Sequence, residues 1–207
     1  MRDENRVRSL GEVFTPEVTA REMLSLIEEI NYASRFLEPG CGNGNFLILI
    51  LGEKLKLVEN LSEVKQTLKS KEVDQVELKS LISLASIYGV DIDLENVNES
   101  RNRLRDAYAK WYEKLTTLKI SDELMSCVEG ILQSNIILGD LINLDPDLVV
   151  IEYSELPYQK IQRRVFRFQD LIFPIDETFE DNDMLFGHIP LALETYPPVP
   201  FREIASL

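Results

Sequence analysis

Apolar residues return every three or four positions through most of the chain and on alternate positions in one late stretch, and this rhythm predicts its elements. A helix follows Pro16. Thr15 can cap it, Pro16 suits its first turn, and Val18, Met23, Leu24, Ile27 and Ile30 recur at helical spacing. Arg35-Phe36-Leu37-Glu38 reads as a short strand, Pro39 to Gly44 as a glycine loop, and Asn45-Phe46-Leu47-Ile48-Leu49-Ile50-Leu51 as the opening of a second helix. Lys54 to Lys71 is charged and reads as a surface helix or insertion. Asp74 to Tyr88 is a helix with Val76, Leu78, Leu81, Leu84, Ala85 and Tyr88 on or near one face. Tyr88 to Asp93 is a second strand ending in acids. Glu95 to Leu118 is a long amphipathic helix whose stripe is Val97, Leu104, Ala107, Tyr108, Trp111 and Leu115. Asp122 to Ser134 is a further helix, Asn135 to Asp140 a third strand and Asp147 to Tyr153 a fourth.

Strands alternating with helices predict an α/β fold, a parallel sheet with helices on both faces. The pattern then changes. Lys160 to Phe168 alternates like a strand, and Leu156-Pro157-Tyr158-Gln159 supplies a turn that makes a hairpin with the fourth strand. Residues 169–207 carry Pro174, Pro190, Pro197, Pro198 and Pro200 and many acids. They read as an irregular tail, either wrapped on the domain or docked elsewhere, so the expected division is 1–168 and 169–207.

Charge narrows the function classes. Over 207 residues, Asp and Glu number 36 and Lys and Arg 22, a formal charge of −14. A chain this acidic does not hold nucleic acid through its overall field, so DNA contact needs a partner or a local patch. The one candidate patch is Lys160, Arg163, Arg164 and Arg167, interleaved with Phe166 and Phe168. It reads either as a phosphate-touching surface or as the solvent face of a strand. The single histidine, His188, excludes a multi-histidine metal site, and no metal is expected. Cys41 and Cys127 form no disulfide framework or zinc pattern. The charged start reads as no secretory signal, and no apolar run approaches membrane length. The expectation is a soluble, cytoplasmic protein.

Four motifs carry candidate chemistry. In Leu37-Glu38-Pro39-Gly40-Cys41-Gly42-Asn43-Gly44-Asn45-Phe46, three glycines alternate between a strand and a helix. Glycine permits positive φ and lets a ligand approach bare backbone, and the next helix offers free N–H groups. The alternative is a tight turn with no ligand. The dense spacing is neither a Walker loop nor the dinucleotide fingerprint. Asp91, in Gly89-Val90-Asp91-Ile92-Asp93, offers two acceptor oxygens that match a ribose diol, with Ile92 beside an adenine. The other reading of Asp91 and Asp93 is helix capping. Leu138-Gly139-Asp140-Leu141 can accept from an adenine amino group and pack on its ring, or be an ordinary turn. Gly11-Glu12-Val13-Phe14-Thr15-Pro16 can close over a ligand or simply cap a helix.

Taken in this order, from Gly11 to about Leu148, these motifs resemble those of the S-adenosylmethionine-dependent N6-adenine DNA methyltransferases of restriction-modification systems. The resemblance implies a class I methyltransferase-like (Rossmann-like) fold with S-adenosylmethionine as cofactor, and makes 1–168 the cofactor-binding domain. It implies that Phe14, Thr15 and Pro16 flank the methionine moiety, with Glu38, Gly40, Gly42 and Gly44 lining it. Asp91 would hold the ribose, and Ile92, Asp140 and Leu141 the adenine.

The family also requires (Asn/Asp/Ser)-Pro-Pro-(Tyr/Phe) after the fourth strand, to hold the target amino group and stack on the flipped base. This chain has instead Ser154-Glu155-Leu156-Pro157-Tyr158, which leaves Glu155, Pro157 and Tyr158 as weak catalytic candidates beside the hairpin reading. About 55 residues remain after the fourth strand, too few for the rest of the sheet and a DNA reader by the usual size of such a domain. The expected function is therefore adenine-N6 DNA methylation or its cofactor-binding fragment, the sheet being truncated at one edge. The alternative is an inactive cofactor-binding module or a split subunit needing a companion methyltransferase or specificity chain.

Overall fold

The computed structural model describes residues 15–61, 70–141, 143, 147–172 and 191–206. The described helices are α1 (Glu17–Ser25), α2 (Asn45–Leu61), α3 (Ser70–Ala85), α4 (Leu94–Thr116), α5 (Asp122–Asn135) and the short α6 (Phe168–Ile172). The strands are β1 (Phe36–Pro39), β2 (Ile87–Asp91), β3 (Ile136–Leu138), β4 (Val149–Leu156), β5 (Lys160–Arg167), β6 (Glu194–Thr195) and β7 (Val199–Pro200), and a 3-10 helix spans Phe201–Ser206. The fold is α/β.

β1, β2 and β3 form a parallel sheet with β2 in the middle. All five β2 residues are buried, as an apolar central parallel strand requires. Local chemistry fixes the helix ends. Asp93 accepts from the Glu95 and Asn96 N–H groups at the start of α4, and Ser121 accepts from the Leu124 N–H at the start of α5. α1 differs from expectation: Pro16 stands at its N-cap with no side-chain cap bond, and its apolar residues do not form one buried stripe. Ala20 and Leu24 are buried, while Val18 and Met23 are exposed.

The two faces of the parallel sheet meet different layers. A Cβ built on Gly89 would lie 2.7 Å from Leu47 of α2, so that face packs tightly on helix. A Cβ on Gly139 would lie 2.8 Å from Leu148, at the start of the hairpin. Val90, Leu148 and Phe168 form a small core there, joined by Ile137, Leu141 and Val150. The expected helices on both faces are therefore corrected on this side, where an antiparallel layer of β4, β5 and β6, with β7 also on β5, takes the place of helix. The hairpin itself falls where alternation predicts, with turn residues 157–159 between its strands.

The direction of β4 follows from its neighbours. Leu148 meets Val90 and Gly139 at the carboxyl ends of β2 and β3. Further on, the Tyr88 hydroxyl donates to the Ile151 carbonyl, and Tyr153 bonds Ser134, just before β3. Finally Arg35 pairs with Glu152 and the Tyr32 hydroxyl donates to Glu155, both from the segment preceding β1. β4 thus runs opposite to β1–β3.

The described residues of the expected tail, 191–206, wrap on the domain, which is one of the two readings of that segment. Phe201 and Ile204 belong to the main core with Leu47, Leu81, Leu104 and Ile131. Arg202 reaches Asp74 and the buried Glu77 of α3, and Tyr112 also donates to Glu77. The end of the chain is a packed element, although its proline and acid content reads as irregular. The surface helix expected over Lys54–Lys71 is corrected at its start, where Lys54 is fully buried and Leu55 and Val58 are core, while residues 62–69 lie outside the described residues.

Candidate functional site at the carboxyl ends of the parallel strands

The glycine loop leaves β1 and folds over the end of β2. The Gly40 and Cys41 N–H groups both donate to the Val90 carbonyl, and the Gly44 N–H donates to Cys41 before α2 begins. Gly40, Gly42 and Gly44 have φ of 84°, 53° and 80°, a region that side chains of L-residues rarely occupy. At Gly40 a Cβ would meet nothing within 4 Å, whereas at Gly44 it would strike the Ser100 Oγ at 2.5 Å. The loop is thus bound to its shape on the inner side and open at its first glycine.

Asp91 lies beneath this loop and is buried. Its Oδ2 accepts from the Gly42 N–H at 2.8 Å, and its Oδ1 from the Asp93 N–H at 2.9 Å and from Asn96 Nδ2 at 3.4 Å. Asp91 therefore fastens the glycine loop to the β2 end, a role that its sequence position alone did not disclose. Asp93 is the cap of α4, as the capping reading has it. Around this point Ile92 is 58% exposed and Leu138 50% exposed, two large apolar side chains at the ends of neighbouring strands.

Glu38 is different. It is half-buried on β1, immediately before the loop, and among the described residues no hydrogen bond or ion pair reaches its carboxylate. Burial raises its pKa above the usual carboxylate range. An acid desolvated without compensation is costly unless something cationic or hydrogen-donating comes to it. Cys41, next along, is no nucleophile: burial first, then the charges of Asp91 and Glu38, push its thiol up to about 12.

The other expected site residues distribute unevenly. Asp140 turns onto its own loop, accepting from the Asn143 N–H at 3.0 Å and its side-chain amide at 2.6 Å. Leu141 packs toward Val90, Leu148 and Phe168, so its side chain serves the core between the layers. Thr15 and Pro16 are exposed, and among the described residues no hydrogen bond or ion pair joins them to the loop. Phe14 and the rest of Gly11–Phe14 lie outside the described residues.

The catalytic candidates are corrected. Because β4 is reversed, Glu155, Pro157 and Tyr158 sit at the hairpin turn, at the amino-terminal end of the parallel strands and away from the glycine loop. Tyr158 is 94% exposed and Glu155 is bonded to Tyr32. The basic cluster is corrected too. Arg163 is buried with its guanidinium over the Tyr196 ring, and Arg164 pairs with Glu152. Lys160 and Arg167 are exposed but stand at opposite ends of β5, so the four make no single surface. Sequence reasoning missed Lys54, whose ammonium donates to the Ser34 carbonyl and Ser86 Oγ at the far end of the sheet. Its place in an Ile-Leu-rich helical run was the available signal. Among the described residues no group of His, Cys, Asp and Glu is arranged to hold a metal ion, and no helix is long and apolar enough to cross a membrane.

Comparison with family models, with curated proteins and with solved structures found no match.

Proposed function

We propose that this chain binds S-adenosylmethionine at the carboxyl ends of β1–β3 and serves adenine-N6 DNA methylation as its cofactor-holding part. The observation that carries the reading is Glu38, a half-buried carboxylate with no partner among the described residues, beside a loop of three positive-φ glycines. That combination suits a ligand with a cationic group that must lie close to bare backbone. The fit extends further. The open space at Gly40 accepts a ligand without a Cβ in the way. Asp91 Oδ1 already accepts two hydrogen bonds and Oδ2 one, which leaves Oδ2 a lone pair for a hydroxyl donor. Ile92 and Leu138 offer apolar walls to a purine. When bound, the cofactor supplies an electrophilic methyl group. The chain's own residues bind and orient it: Glu38 faces the ammonium, Asp91 the ribose, and Ile92 and Leu138 the base.

The position of Glu155 and Tyr158 supports assigning the acceptor-holding step to a second polypeptide. They lie at the wrong end of the sheet to meet a base at the glycine loop. The chain alone is expected to bind cofactor and to leave mixed-sequence DNA unmethylated.

Calorimetry on Glu38→Gln tests the reading. Loss of the charge facing the ammonium is expected to weaken S-adenosylmethionine binding by roughly 10- to 150-fold, as loss of a charged hydrogen bond of roughly 1.5–3 kcal/mol implies. Thermal stability is expected not to fall, because no partner in the fold is lost and a desolvation penalty is relieved. Affinity in the native protein should also rise with pH through the raised Glu38 pKa, since only the ionised carboxylate attracts the cation, and this rise should vanish in Glu38→Gln. Wild-type affinity in the variant, or no heat with either protein, would refute the proposal.

A further inference from the structure

The parallel sheet is covered unevenly. Val90, Ile137 and Gly139 lie under the hairpin layer, and Tyr88 bonds to it, but toward β1 the hairpin reaches only Arg35 and Tyr32, just before the strand, among the described residues. On β1, Leu37 is 42% exposed and Pro39 is exposed. Among the described residues β1 also pairs on one side alone, with β2. The Phe36 N–H donates to Ser86 and the Gly40 N–H to Val90. In a parallel ladder alternate residues turn their polar groups to the same neighbour, so Phe36, Glu38 and Gly40 face β2 while Leu37 turns its N–H and carbonyl outward. An apolar side chain and unpaired strand groups are therefore exposed at the same residue. Parallel sheets rarely leave either uncovered.

We infer that the outer edge of β1 is a docking edge for an extended segment of a second, positively charged polypeptide. An extended strand is the occupant whose backbone satisfies an open sheet edge while its side chains cover the adjoining apolar surface. Charge selects which strand. Two copies of a chain carrying −14 repel each other, whereas a basic segment gains from the same field. This inference stands apart from the cofactor reading, because it uses the edge and not the crevice.

The probe is a labelled twelve-residue peptide of alternating valine and threonine with lysines at both ends, compared with the same peptide flanked by glutamates. Binding is followed by fluorescence anisotropy, and the Leu37 amide by hydrogen exchange. The lysine-flanked peptide is expected to bind at least tenfold more tightly than the acidic one and to slow Leu37 exchange at least tenfold. Leu37→Pro removes an outward N–H and no bond within the sheet, and should weaken binding at least tenfold. Leu37→Lys keeps the backbone and sets a like charge against the peptide, so it should weaken binding in the same direction if the proline variant does not fold. Absence of binding, equal affinity for the two peptides, unchanged binding in Leu37→Lys, or a Leu37 amide already protected in the free chain would each overturn the inference. So would a dimer of the chain, seen by sedimentation velocity and lost in Leu37→Lys, since the occupant would then be a second copy. Calorimetry with S-adenosylmethionine on the same samples separates failure of this proposal from failure of the cofactor reading.

Discussion

The two ends of the parallel sheet each hold a desolvated charge, half-buried at Glu38 and fully buried at Lys54, with no counter-ion among the described residues, and they treat it differently. At the carboxyl end Glu38 is desolvated and accepts from no described residue. At the amino end Lys54 is desolvated too, and burial lowers its pKa to about 7, but its ammonium donates to Ser34 and Ser86. The backbone strain differs in the same sense. At the carboxyl end positive φ falls on Gly40, Gly42 and Gly44, where it is cheap, and at the hairpin turn it falls on Tyr158 and Gln159, where it is not. An end whose strain is borne by glycine and whose acid meets no partner among the described residues suits the proposed ligand. An end whose buried ammonium finds acceptors within the fold is arranged for folding. The comparison separates a candidate site from a candidate-looking sequence.

The strongest way to break this contrast is Gly42→Val. A β-branched residue at φ 53° is strained, and its side chain would intrude where the ligand must approach the loop. S-adenosylmethionine binding is expected to fall more than a hundredfold, measured by calorimetry on protein shown to be folded by circular dichroism. The matching change at the other end, Tyr158→Val, should leave binding unaltered. Asp91→Ala comes next. It should weaken binding more than tenfold, since it removes both the diol acceptor and the bond that fixes Gly42. Because that bond is part of the fold, Asp91→Ala should also lower the melting temperature, whereas Glu38→Gln should not. Equal melting temperatures for Asp91→Ala and Glu38→Gln would show that the loop holds its shape without Asp91.

Much of this was legible in the sequence because it depends on local rules. The three glycines, the acids after β2, the cap at Asp93 and the alternation of β5 are each set within a few residues. What was not legible depends on long-range partners. Nothing in Ser154–Tyr158 says that Tyr32 and Arg35 will pair with Glu155 and Glu152, and those contacts reveal the direction of β4. Without the direction, Glu155 and Tyr158 seem to belong to the glycine-loop end. The helical stripe of α4 was legible in part, since Val97, Leu104 and Tyr108 are buried and Trp111 packs on the core, and the rest was missed for a related reason. Its buried line runs Val97, Ser100, Leu104, Tyr108, Tyr112 and Thr116, and it includes polar residues that an apolar count passes over. Tyr112 is inside because Glu77 accepts its hydroxyl, and Glu77 is held in turn by Arg202, 125 residues away.

Lys54 sharpens the contrast by pH. Its folded pKa of about 7 lies below the unfolded value of 10.5, so between these the unfolded chain holds a proton that the native one has released. The native state is therefore penalised below pH 7, and stability contributed by this group rises from about pH 7 to 10.5, by at most about 1.4 kcal/mol per pH unit. Urea unfolding across that range should show the rise in the native protein and its loss in Lys54→Met. Glu38 works the other way. Its raised folded pKa means that the native state is favoured at low pH and loses that advantage as pH climbs from the ordinary carboxylate range through the raised value. Opposite slopes in the two variants would confirm that each end carries its own uncompensated charge.

The smallest effect belongs to the hairpin turn. Tyr158 and Gln159 hold φ of 63° and 58° in succession, and each left-handed side-chain residue costs about 1–2 kcal/mol against a right-handed one. Glycine removes that cost but adds freedom to the unfolded chain, which offsets about half of it. Gln159→Gly is therefore expected to stabilise the chain by about 0.5 kcal/mol, a melting-temperature gain of about 1–2 °C at this size. Cofactor binding should not change, because the turn lies at the end of the sheet away from the glycine loop. A Gln159→Gly protein that melted lower would mean that Gln159 contributes more through its side chain than it loses through its backbone. One that bound cofactor differently would couple the two ends and undo the contrast between them.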